Sequence, residues 1–167
     1  MFKFNRQTLI FGIYLLVPVA LAVYVTDYFK LPAWPAFMCM IFFFVEHMDM
    51  KKASHILVGA IAGLAGIALI GAALGVLSPI MGLEPGKIVY ILALVYAIVA
   101  FGETLPIVFN AYAFMFFTVG GLGLEAPEPA PYLWMAMAAV GGGLLIGSVV
   151  LINKIMGAPH PEHPIAE

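Results

Sequence analysis

LPAWPAFMCMIFFFV, from Leu31 to Val45, returns later in the chain as LPIVFNAYAFMFFTV, from Leu105 to Val119. Laid over each other without a gap, the two copies share the opening Leu-Pro, a Phe-Phe pair and the closing Val. The correspondence continues with two residues of slippage: Ala60, Ala62, Gly66, Leu69, Ile70 and Gly71 fall on Ala136, Ala138, Gly142, Leu145, Ile146 and Gly147. The conserved order of these matches along both copies reads as an internal duplication.

Outside these stretches the composition decides the class. The 167-residue chain is 64% hydrophobic and 10% charged, with mean hydropathy +1.09. Soluble domains run at about 45–50% apolar and about 25% charged, so this sequence reads as an integral membrane protein. Its apolar runs are continuous rather than alternating, which points to helices and away from a barrel. A net charge of −2 with no basic cluster gives no expectation of a nucleic-acid partner. Cys39 is the single cysteine, so neither an intramolecular disulfide nor a thiol-based zinc site is expected.

Six spans follow. The first is the charge-free run from Gln7 to Thr26, with Pro18 inside it. Its basic start and Ala20-Leu21-Ala22 also resemble a secretory signal, a reading set aside because cleavage would destroy the three-plus-three arrangement. The second runs from Leu31 to Val45, only about 22 Å at 1.5 Å per residue, and meets Glu46, His47, Asp49, Lys51 and Lys52. The third occupies Ser54 to Leu83, with Ser78-Pro79 expected to end the helix. Glu84 to Lys87 form the expected turn between copies. The fourth span covers Ile88 to Gly102, the fifth Leu105 to Leu124 and the sixth Pro131 to Ile152. The fold expected is therefore all-α, six transmembrane helices as 3+3 inverted repeats: 1–83 as the first repeat, 84–87 as the turn, 88–156 as the second, and 157–167 as a disordered cytoplasmic tail.

Lys3, Arg6, Lys51, Lys52 and Lys154 fall on one side of this topology and Lys30 and Lys87 on the other, which predicts cytoplasmic termini. Three spans per copy is an odd number, so the second copy enters from the opposite face and the two Leu-Pro helices run antiparallel. Gly59-x-x-x-Gly63, Gly71-x-x-x-Gly75 and the spacing of Ala139, Gly143 and Gly147 supply close-packing faces. These exceed what one small bundle needs, so a homo-oligomer is expected.

Inverted repeats place equivalent segments about the membrane midplane, where channels and transporters bind solute. Asn110 replaces Ala36 of the first copy and Tyr112 replaces Met38, so polarity enters one half only. An amide in the bilayer either bonds a neighbouring helix or lines a wet path. Asn110 and Tyr112 point about 200° apart on a helix, so they do not share one narrow pore. Glu103 precedes the N-terminus of the fifth helix, where the macrodipole favours an anion whether or not it has a further role. Glu46, His47 and Asp49 form either an acidic cytoplasmic vestibule, made pH-sensing by His47, or a set of helix-end charges snorkelling to headgroups. His47, His55, Glu46 and Asp49 match no zinc-ligand spacing, so no metal is expected. No nucleophile with an adjacent base and no phosphate-binding loop appears, so neither an enzyme nor a cofactor is expected.

Trp34-x-x-Phe37 followed by aromatics and Lys52, then Leu105-Pro106-x-x-Phe109, resemble the YcdZ-like family of small bacterial inner-membrane proteins. The resemblance covers most of the six spans and implies a multi-pass inner-membrane location. The family has no assigned activity or site residues to carry over, and Glu46 and His47 fall where such proteins look more neutral. The function expected is passive or proton-linked passage of a small, uncharged polar solute, with Asn110 near the midplane, Tyr112 close by and Glu103 at the inner mouth. The alternative is a non-transporting accessory or structural subunit of a membrane complex.

Overall fold

The computed structural model describes residues 6–157. The expected cytoplasmic tail from residue 158 onward and Lys3 lie outside the described residues. The described chain is helical throughout: α1 (Arg6–Tyr28), α2 (Trp34–Val45), α3 (Met50–Met81), α4 (Leu83–Phe101), α5 (Ala111–Gly123) and α6 (Pro131–Met156). Helices α1, α3, α4 and α6 are long and apolar enough to cross a membrane; α2 and α5, at 12 and 13 residues, are shorter. Both Leu-Pro helices are shorter than the expected spans Leu31 to Val45 and Leu105 to Leu124, because both start late. Pro35 takes an opening position of α2, where its missing N–H is not needed. In the second copy Leu105 to Phe109 form turns, and Asn110 holds extended backbone (φ −150°, ψ 179°) as the cap of α5.

The connections are short for identifiable reasons. Helix α2 stops where His47 and Met48 adopt left-handed backbone (φ 52° and 62°). Hydrogen bonds from Met48 N–H to Phe43 O (2.8 Å) and Asp49 N–H to Glu46 O (3.0 Å) close that reversal. Asp49 then caps α3 by accepting from Lys51 N–H at 2.9 Å. Helix α3 runs through Pro79 to Met81, past its expected end, and the break falls on Gly82 alone (φ +90°, ψ 164°). That backbone suits only glycine. The turn expected at Glu84 to Lys87 is instead the first turn of α4.

Directions follow from pairs along each seam. Helices α1 and α2 are antiparallel: Phe11 meets Phe44 edge-on at 6.3 Å, while Leu31 N–H reaches Thr26 O at 2.8 Å at the other end. With the turn before it, α2 thus follows α1 from Thr26 back to Phe11, about 22 Å of the roughly 34 Å height of that helix. Helix α2 runs parallel to α6, with Trp34 near Trp134 (5.6 Å between ring centroids) and Asn153 Nδ2 donating to Met48 Sδ (3.1 Å). Helix α5 runs parallel to α3 and antiparallel to α2. Asn110 Nδ2 donates to His55 O (3.2 Å) at one end of the α3 seam, and Gly120 lies against Ile67 further along. One end of the bundle thus carries Arg6, the Glu46–Lys52 loop, Glu103 and Lys154. The other carries Asp27, Lys30, the α3–α4 hairpin and Glu125.

Packing pairs the two sequence copies crosswise. Helices α1 and α2 pack chiefly on α6, whereas α4 and α5 pack on α3. The glycines explain how closely. A Cβ added at Gly59 would overlap the Asn110 amide, and one at Gly63 would overlap Ala113 O and stand 2.9 Å from Phe117 N. On α6, Cβ atoms added at Gly141 and Gly142 would stand 2.8 Å from Ala36 and Cys39. The π-helical segment from Met137 to Gly142 turns both glycines toward α2. Ala36, Cys39 and Phe43 on α2 and Asn110, Ala113 and Phe117 at α5 occupy the same positions of the two copies. In each triad all but Asn110 are buried. The small-residue faces expected from Gly71, Gly75, Gly143 and Gly147 have no neighbour within 4 Å, and Gly63 is used within the chain.

Candidate functional site

Helices α2 and α5 meet along an aromatic seam. Trp34 and Phe116 (6.2 Å between centroids), Phe42 and Phe116 (5.9 Å), and Phe42 and Tyr112 (5.3 Å) succeed one another along it. Trp134 closes one end against Trp34. At the other end Tyr112 donates its hydroxyl proton to Glu46 Oε1, a hydrogen bond between the second residue of α5 and the residue capping α2. Both partners are half-buried, so the carboxylate is shielded from competing water and the bond is strengthened accordingly. The two residues are far apart in sequence, and no local pattern links them.

The residues expected along a solute path are not brought together. Asn110 is not at the middle of a span. It sits at the start of α5, beside Gly59 and near the N-terminal end of α3. Its Nδ2 donates to Pro106 O (2.9 Å), Ile107 O (3.2 Å) and His55 O (3.2 Å), and its Oδ1 accepts from Ala113 N–H (3.0 Å). With donors and acceptor all engaged, the amide caps α5 and fastens it to α3, the helix-bonding role weighed above. Gly59 is what lets it approach: any side chain there would occupy the amide's place. Glu103 is exposed in the α4–α5 turn, eight residues before the helix it was expected to open. Asp49 is committed to capping α3, while His47 is exposed in the left-handed turn beside Glu46. Among the described residues no three His, Cys, Asp or Glu side chains converge on a point.

The cavities open sideways rather than along the seam. One of about 430 Å³ lies between α1, α2 and α6, with Leu21, Val25, Ala36 and Phe37 in its wall. Its counterpart of about 460 Å³ lies between α4 and the start of α5, walled by Val95, Val99, Asn110 and Ala111. Those two sets correspond residue for residue in the register that lays Leu105 on Leu31. A third cavity of about 390 Å³ adjoins the second between α3, α4 and α5, sharing Val95 and Phe114 with it. The first is almost wholly apolar; its hydroxyls, Thr26 and Ser148, donate to Ala22 O (2.8 Å) and Leu145 O (2.7 Å) of their own helices. No family model, curated protein or solved structure matches this chain.

Proposed function

We propose that this chain is an inner-membrane protein of six crossings, built as inverted three-helix repeats with cytoplasmic termini, and that it passes a small uncharged polar solute along the seam between α2 and α5. Four observations support the repeat. The helices alternate in direction, so α1–α3 and α4–α6 run in opposite senses. Each copy's first two helices pack on the other copy's third. Phe42 and Phe116, equivalent in the two copies, touch each other at 5.9 Å, as residues beside a twofold axis must. The lateral cavities correspond as well. The end bearing Arg6, Lys51, Lys52 and Lys154 is read as cytoplasmic because basic residues concentrate there.

The observation that carries the functional reading is the Glu46–Tyr112 hydrogen bond. It joins the two halves at the cytoplasmic end of a seam otherwise closed by ring contacts. Aromatic rings slide and tilt at small cost, whereas a shielded, charge-assisted hydrogen bond contributes roughly 1.5–3 kcal/mol. Glu46 and Tyr112 therefore act as the inner gate, and parting α2 from α5 opens the path. A solute of net charge is disfavoured by the aromatic walls. The rival reading, an accessory subunit that transports nothing, draws on the same filled seam and on the tight glycine contacts.

Proteoliposome swelling with urea, glycerol and short amides separates the two. Wild type should admit at least one solute faster than empty liposomes, and Tyr112→Phe, which removes the gate's donor, should admit it faster still. If no solute moves faster in either protein while another membrane protein co-purifies in fixed stoichiometry, the accessory reading replaces this one.

A further inference from the structure

The two adjoining cavities beside α4, which share Val95 and Phe114, line one groove along that helix, and its mouth at Lys87 is chemically distinct. Helices α4 and α5 touch sparingly, since both lean on α3. The slot between them is floored by Ile67 and Ile70 of α3 and walled by Ile91 and Val95 of α4 and by Phe114 and Leu122 of α5. At that mouth stand Lys87, on the first turn of α4, and Glu125, just past the end of α5. Both are exposed, and neither forms an ion pair or side-chain hydrogen bond among the described residues. Thr118, part way down the slot, is turned onto Phe114 O of its own helix (2.9 Å).

We infer that this groove binds a phosphoethanolamine phospholipid, with its phosphate at Lys87, its ammonium at Glu125 and one acyl chain lying between α4 and α5. Charge complementarity selects the headgroup, which presents an anion and a primary ammonium within a few bonds of each other, as the mouth presents a cation and an anion. A phosphoglycerol lipid offers Glu125 neutral hydroxyls but no cation, and the quaternary ammonium of a phosphocholine lipid has no N–H to donate to it. Length agrees with the chain. From Lys87 to Val99 the groove follows α4 for about 18 Å, against about 15 Å for one leaflet's half of the hydrocarbon core. The corresponding cavity between α1, α2 and α6 has no charged residue in its wall, so one headgroup-selected lipid per chain is expected. The inference rests on the membrane-spanning reading and is independent of solute passage.

Native mass spectrometry of the delipidated full-length protein, titrated in detergent with matched-chain phosphatidylethanolamine, phosphatidylglycerol and phosphatidylcholine, tests it. Wild type should bind one phosphatidylethanolamine at least tenfold more tightly than either of the other lipids. Glu125→Gln should reduce that preference over phosphatidylcholine at least fivefold, and Lys87→Gln should weaken all three. Gly121→Leu, which fills the slot while leaving both charges, should abolish the one-lipid complex. Unchanged helical circular dichroism in each variant separates loss of the site from loss of the fold. Equal binding of the three lipids by wild type, or a headgroup preference indifferent to Glu125→Gln, overturns the proposal.

Discussion

Gly63→Ala tests the packing on which the fold depends. The added methyl would overlap the carbonyl oxygen of Ala113 and stand 2.9 Å from the Phe117 nitrogen. Both neighbours are backbone atoms of α5, so no side-chain rotation relieves them and α5 itself must retreat. A retreat of about 1 Å forfeits up to half of the attraction of each atom pair along the α3–α5 seam. It also pulls Asn110 away from His55 O, already at 3.2 Å. Overpacking costs about 1–3 kcal/mol, and the backbone contact places this substitution at the upper end. At about 2–4 °C per kcal/mol for a chain of this size, the melting temperature in mild detergent should fall by about 6–12 °C. Gly143→Ala is the matched control. It adds a methyl where nothing lies within 4 Å, so its effect should stay within about 0.5 kcal/mol. Equal melting temperatures for wild type and Gly63→Ala, or a larger loss for Gly143→Ala, would refute the close approach of α5 to α3.

The remaining predictions concern Asn110 and Cys39. Asn110→Ser keeps a capping oxygen but cannot donate across to His55 O, and Asn110→Ala loses both functions. Stability in detergent denaturation should therefore rank wild type, then Ser, then Ala, with Ala lower than wild type by about 2–3 kcal/mol. A serine variant as stable as wild type would mean that the interhelical bond contributes nothing. Cys39 is fully buried against Gly142 and Ala138, so a small maleimide should alkylate it only through local opening of α2 from α6. Gly142→Val, which wedges those helices apart, should raise the alkylation rate by about tenfold; rapid labelling of the wild type would contradict the packing of α2 on α6.

Much of the architecture was legible in the sequence because its signals are local. Leu31-Pro32 and Leu105-Pro106 mark the two short-helix segments, continuous apolar runs mark the long ones, and Gly59 and Gly63 mark a face that another helix approaches. The shortness of α2 was legible too, but the late start of α5 was not. Asn110 reads as an amide inside an apolar run, and only the extended backbone before Ala111 makes it a cap that starts α5 six residues later than expected. Glu84 to Lys87 read as the turn because turn-rich composition also suits a helix's first turn, where Pro85 needs no N–H, whereas the break itself falls on Gly82. On α6 the spacing of Ala139, Gly143 and Gly147 suggested the contact face, but the buried stripe runs through Ala138, Gly142, Leu145, Val149 and Ile152. The pairing of Glu46 with Tyr112 depends on how the halves meet, and neither residue's surroundings in sequence announce it.

Single cysteines introduced into a Cys39→Ala background test the inverted arrangement most directly, when labelled with a membrane-impermeant maleimide from outside intact spheroplasts. Six crossings with alternating directions predict that Glu84→Cys and Pro127→Cys react from outside, while Lys52→Cys and Glu103→Cys react only after permeabilisation. If α2 and α5 instead dip into the membrane and return to the same face, Lys52→Cys will react from outside while Glu84→Cys will not. That result would contradict the arrangement.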